Sequence, residues 1–121
     1  MKYVALLTNT AEDRERWETM SAEEAAAARA AEMPRWAALF EEIGPRTLDG
    51  KELEEPATAK TVRVRDGETL VTDGPFAETK EQLGGYYVIE VDSLEQAIEW
   101  AEKMPAMRNG AVEIRPLGEE G

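Results

Sequence analysis

The residue with the clearest case for chemistry is Asp73, which opens the run Asp73-Gly74-Pro75-Phe76. The chain holds no cysteine and no histidine. That excludes thiol nucleophiles, disulfides, Cys/His zinc sites and proton transfer by an imidazole. Any catalysis falls to Asp, Glu, Lys, Arg, Tyr, Ser or Thr. Asp66-Gly67, set between the β-prone runs Lys60–Arg65 and Glu68–Thr72, is a hairpin turn signal. A two-residue turn there pairs Arg65 with Glu68, Val64 with Thr69, Val62 with Val71 and Lys60 with Asp73. Alternate side chains share a face, so Asp73 joins Val62, Val64 and Val71, with Lys60 opposite. A carboxylate on an apolar face is costly unless paired, and beside a cleft it is a base or a ligand anchor. The same residue also has a structural reading. An Asp before Gly-Pro accepts hydrogen bonds from the amides of Phe76 or Ala77 and shapes a turn. Pro75 then suits a first helical position, and Lys60 simply neutralises the carboxylate. Both readings remain open on the sequence.

Around Asp73, the catalytic candidate, the ligand-binding candidates are Lys60, Gly74, Pro75, Phe76, Lys80 and Tyr86. Each has a plainer role. Gly74 and Pro75 are backbone devices, Phe76 is a packing residue, and Lys80 and Glu78 form a solvated pair. Tyr86 and Tyr87 follow Gly84-Gly85, which permits close backbone approach. One ring then faces the core while the other places its hydroxyl in a cavity. Trp17, Trp36 and Trp100 read as packing residues. No phosphate-binding glycine loop, metal quartet or serine-hydrolase motif is present, so neither a metal nor another cofactor is expected.

The elements that must position these groups follow from caps and periodicity. Tyr3–Leu7 is apolar on both faces and reads as a covered strand. Asn9–Met20 is polar and reads as a loop, with Trp17 and Met20 folding back. Ser21 and Glu24 form a capping box ahead of an alanine-rich helix. Pro34 is expected to kink or restart that helix, after which Trp36, Phe40 and Ile43 recur at helical spacing. Gly44-Pro45 stops it. A short strand is expected within Arg46–Leu53, then the hairpin, a helical turn within Pro75–Gln82, and the strand Tyr86–Val91. Ser93 and Gln96 cap a second helix, whose face is Leu94, Ala97, Ile98, Ala101 and Met104. Pro105 ends it, and Ala111–Arg115 is a last strand.

This order resembles the split β-α-β sheet of ferredoxin-like folds, an α+β class with two helices on one face. The first and central strands are apolar on both sides, so the uncovered face calls for a partner. A homodimer packed sheet to sheet is expected. With 121 residues, 42% of them apolar, the chain suits a single domain spanning 1–121. A net charge of -12 disfavours nucleic acid as a partner. No apolar run approaches the ~18 residues of a membrane span, and the start lacks a signal-peptide pattern, so no membrane association and a cytoplasmic location are expected.

The run from Val71 through Asp73-Gly74-Pro75-Phe76 to Gly84-Gly85-Tyr86-Tyr87 resembles the signature of the YCII-related family, in its Asp-Gly-Pro-Phe subgroup. The flanks Thr58–Gly67 and Gly110–Pro116 agree. The resemblance implies a dimeric α+β barrel on a ferredoxin-like fold, with members suspected of being enzymes and often encoded beside extracytoplasmic-function sigma factors. Two functional readings follow. One is a small-molecule-binding or enzyme-like dimer with Asp73 at a pocket between sheet and partner. The other is a non-catalytic interaction or regulatory factor linked to such a sigma factor. Some related proteins pair a His with an Asp in a pocket. Here Asn109 stands in an Arg-Asn-Gly segment where the family pattern reads Arg-His-Gly, which removes any His-dependent role.

Overall fold

The computed structural model describes residues 1–75, 81–104 and 110–118, apart from the side chain of Glu81. Nine elements concern the site: β1 (Lys2–Thr10), α1 (Ala11–Thr19), α2 (Ala22–Ile43), β2 (Thr47–Glu52), β3 (Lys60–Arg65), β4 (Glu68–Asp73), β5 (Glu81–Glu90), α3 (Leu94–Lys103) and β6 (Val112–Pro116). Four strands form one antiparallel sheet in the order β2-β5-β1-β6. β1 and β2 flank β5, and β5 and β6 flank β1, so each β-α-β unit leaves a one-strand gap that the other fills. That is the expected split β-α-β arrangement. β3 and β4 stand outside it as a two-stranded arm inserted between β2 and β5.

Strand periodicity sorts the sheet's two faces. Tyr3, Ala5 and Leu7 of β1 are buried with Ile89 of β5 against Leu39 and Ile43 of α2 and Ala97 and Trp100 of α3. Val4 and Leu6 point the other way and are half-buried, as are their cross-strand neighbours Val88 and Tyr86. Among the described residues Val91 and Met104 belong to the same buried cluster, and Trp36, Phe40, Tyr87, Val112 and Ile114 pack against it.

Both helices start at the serines expected from sequence, but only Ser21 and Glu24 close a full capping box, since the Gln96 side chain accepts from the Asp92 amide and not from that of Ser93. The Ser21 hydroxyl accepts from the Glu24 amide at 3.1 Å, and the Ser93 hydroxyl from Gln96 at 3.1 Å. The segment expected to be a loop is different. β1 runs on to Thr10, whose hydroxyl accepts from the Asp13 amide at 3.1 Å and caps α1. A third helix therefore joins the two expected, and none of its residues is fully buried. Pro34 lies within a continuous α2 rather than dividing it. Of the helical turn expected over Pro75–Gln82, the part from Glu81 belongs to β5, and residues 76–80 lie outside the described residues, as does Pro105.

Two backbone features shape the region beside α2. The register between β1 and β5 shifts at Leu7/Thr8, a bulge beside Gly84 and Gly85. A Cβ at Gly85 would lie 2.9 Å from the Lys51 carbonyl oxygen, so only glycine lets β5 approach β2 this closely. α2 buries side chains only near its C-terminal end, at Leu39 and Ile43. Its first half buries none, which leaves room between that half and the sheet.

Candidate functional site

The hairpin forms in the register read from sequence, from Arg65↔Glu68 to Lys60↔Asp73. Asp66 and Gly67 both have positive φ, 51° and 79°, the conformation a tight two-residue turn requires. Lys60 Nζ donates to Asp73 Oδ1 in an ion pair. Asp73 is 84% exposed and Lys60 63%, so the pair stands in solvent at the foot of the arm. Gly74 follows with φ 92°. Its amide donates to the Ala59 carbonyl at 2.8 Å, and its own carbonyl accepts from the Thr61 hydroxyl at 2.7 Å. These two bonds pin the base of the arm, and Thr61 is buried there. Pro75 is half-buried. The candidates Phe76 and Lys80, the amides of Phe76 and Ala77, the Glu78–Lys80 pair and Asn109 lie outside the described residues.

A second place has the geometry of a binding site. A cleft of about 400 Å³ opens between α1, α2 from Arg29 to Phe40, and strands β1, β5 and β2. Its apolar wall is aromatic. Trp36 and Phe40 stack at 6.0 Å between centroids, and Tyr87 meets Phe40 edge-on at 5.4 Å and Trp36 at 6.0 Å. Trp17 of α1 lies across the mouth, with the Arg29 guanidinium 5.4 Å from its ring. Arg29 also lies 4.0 Å from Glu52. Asp13, Glu32, Glu52, Lys51 and Asn9 are the other charged or amide residues on the lining. Asp13 lies 3.9 Å from Arg16. Burial, followed by the nearby Glu52 charge, raises the Tyr87 phenol above its ordinary range, so its hydroxyl stays protonated.

Of the residues singled out from sequence, the structure brings together Lys60 and Asp73, with Gly74 beside them. Tyr86 belongs elsewhere. It adjoins the cleft, but its ring lies on the Val4–Leu6 face of the sheet, opposite to that of Tyr87, and its hydroxyl donates to Asp49 Oδ2 at 3.2 Å. That bond, and then desolvation, raise its pKa. Asp73 and Lys60 are not among the residues lining the cleft. The cleft residues Arg29, Glu32 and Glu52 were not anticipated, although a signal existed. Positions 29, 32, 33, 36 and 40 share one face of α2 by their three- and four-residue spacing, so the Trp36–Phe40 stripe extends backwards into charge.

Among the described residues no helix is long and apolar enough to cross a membrane. The chain is 49% identical over 65 residues to an uncharacterised protein of Rhizobium meliloti (strain 1021), a stretch covering 51% of this chain and 52% of that relative. The match thus spans about half the length of the curated relative. Among solved structures, the fold resembles the 5-chloro-2-hydroxyhydroquinone dehydrochlorinase TftG of Burkholderia phenoliruptrix AC1100, in complex with 2,5-dihydroxybenzoquinone. The TM-score is 0.54 at 12% identity, with 98% of this chain and 94% of that one covered, which establishes a shared fold. The YCII-related domain model matches residues 1–120, and the chain belongs to that family.

Proposed function

We propose that this protein is a cytoplasmic homodimer that binds a small ring-bearing molecule and acts on it in the manner of an enzyme. The observation that carries the reading is the aromatic cleft beneath α2. Its ~400 Å³ volume and its aromatic wall facing a set of charged and amide side chains suit a small-molecule site. The similar dehydrochlorinase fold holds a six-membered ring compound, which supports a ring as the ligand's shape.

In this reading the open sheet face of Val4, Leu6, Tyr86 and Val88 meets a second copy. Asp73 is the candidate proton acceptor, and the arm carries it to a pocket completed by the partner. A carboxylate so exposed is an effective base only where another surface removes water from it. The test is a melting-temperature screen of the full chain against ring-bearing metabolites, repeated with Trp36→Leu. Ligand-dependent stabilisation that Trp36→Leu abolishes is the expected result. Stabilisation that persists in Trp36→Leu places binding elsewhere, and none across a broad screen overturns the reading.

The arm itself favours a second reading, that of a non-catalytic interaction or regulatory factor. Val62, Val64 and Val71 are 59%, 68% and 61% exposed on one face of a lone hairpin. An isolated two-stranded ribbon with such a face is marginal in water. The family's frequent placement beside extracytoplasmic-function sigma factors supplies a candidate partner. Affinity capture with wild type and with Val64→Glu tests it: a sigma factor retained by wild type and lost from the variant supports this reading, and none in either sinks it.

A further inference from the structure

We propose that the ligand of the aromatic cleft is an organic cation, an amine or quaternary ammonium held against the rings of Trp36, Phe40 and Tyr87 by Glu32. The inference rests on the reading of the cleft as a small-molecule site and adds the chemical class of its occupant.

The charges lining the cleft carry the argument. Arg29 is already engaged, over the Trp17 ring at 5.4 Å and 4.0 Å from Glu52. Asp13 has Arg16 at 3.9 Å. Lys51 is paired in register with Tyr86, whereas Gly50, one residue before it, is paired with Tyr87. Successive side chains alternate, so Lys51 projects from the sheet face opposite the one where Tyr87 meets Trp36 and Phe40. Glu32 is different. It is half-buried, lines the cleft one helical turn before Trp36, and has no ion-pair partner among the described residues. One uncompensated carboxylate beside three ring systems is the arrangement that recognises an organic cation. The rings offer their negative faces and the carboxylate supplies the counter-charge. The net charge of -12 raises the local concentration of cations and repels anions.

Three probes of similar size separate the outcomes: benzylammonium, benzyl alcohol and benzoate, each titrated into the full chain and followed by tryptophan fluorescence. The ammonium is expected to bind about tenfold tighter than the alcohol, with benzoate weakest. The preference should shrink as salt is raised, because Glu32 is only half-buried. Glu32→Gln, a near-isosteric change at a half-exposed position, should erase the ammonium's advantage while leaving benzyl alcohol binding unchanged. Equal binding of ammonium and alcohol overturns the cation assignment and leaves the small-molecule reading standing. A preference that survives Glu32→Gln also overturns it, since another group then recognises the charge. If none of the probes binds, this inference falls, while the reading of the cleft stands or falls with the wider screen of ring compounds and Trp36→Leu.

Discussion

The arm of β3 and β4 and the cleft beneath α2 are built by opposite means. In the arm everything is local. Asp66-Gly67 sets the turn, the turn sets the register, and the register brings Lys60 to Asp73. Its valines nevertheless touch little, with Val62, Val64 and Val71 all more than half exposed. In the cleft only the Trp36–Phe40 stack is local. Tyr87 of β5 meets Phe40 and Trp36 of α2 at 5.4 and 6.0 Å, and Trp17 of α1 takes the Arg29 guanidinium of α2 at 5.4 Å, only because α2 crosses the sheet as it does. A hairpin can thus have its geometry fully specified and still lack stabilising burial. The cleft has burial but no specification outside the complete fold. The first is suited to meeting another molecule's surface, the second to enclosing a small one.

Substitutions can sharpen or break that contrast. The largest effect is expected from changing Val62, Val64 and Val71 together to serine. If a second copy covers them, the exposed three-fifths of each valine is worth roughly 0.9 kcal/mol, and with both copies changed the triple substitution should weaken association by about 5 kcal/mol, on the order of several thousandfold in Kd. Sedimentation equilibrium measures it, and an unchanged Kd would place the arm outside any dimer interface. Next comes Phe40→Ala, which removes the ring between Trp36 and Tyr87. A loss of about 3 kcal/mol is expected, seen as a Tm lower by roughly 10 °C. A small loss would mean that the cleft's rings are loosely held and the contrast with the arm is false.

Ser21→Ala should cost about 1 kcal/mol by removing the cap of α2, the helix that roofs the cleft. Asp73→Asn is expected to change stability by less than about 0.5 kcal/mol, because its pair with Lys60 is exposed to solvent. A Tm that falls by many degrees would instead assign Asp73 to shaping the turn that follows it. The smallest effect lies at the end of the sheet, where Arg46 donates to Asp92 at 3.0 Å and holds its carboxyl below the usual range. A depressed folded-state pKa means stability that is present above the ordinary carboxylate pKa and lost as pH falls through the folded value. Asp92→Asn should therefore lower stability slightly at neutral pH and leave it unchanged at low pH, which flattens the acid limb of a stability curve followed by Tm against pH.

What could be read in advance divides along the same line. The hairpin pairing, both serine caps and the split β-α-β order follow from short-range rules, and each is present. Helix α1 escaped because it has no apolar periodicity to find. It buries no residue, and its one signal is the Thr10 cap with Glu12 and Asp13 in the first turn. The cleft escaped for a different reason. Trp36 and Phe40 are visible as a helical stripe, but a stripe alone does not tell whether the opposite wall is in contact or stands off. Here Tyr87 meets the stripe at Trp36 and Phe40, and the gap opens further back, where the first half of α2 buries nothing and the bulge at Leu7/Thr8 with Gly84-Gly85 reshapes the floor. Glu32 gained its meaning only from that gap.

One contact in the edge strand has a wider effect than its position suggests. A Cβ at Gly50 would fall 2.3 Å from Cδ1 of Tyr87, so that ring occupies the space a side chain would take. Strand β2 and the back wall of the cleft are therefore a single mechanical part. A methyl group added at Gly50 would displace the phenol ring towards Trp36 and Phe40 and narrow the chamber without altering any group that a ligand touches. Selectivity for the size of a guest can in this way be adjusted from outside the chamber, by the bulk tolerated at one position on the rim of the sheet.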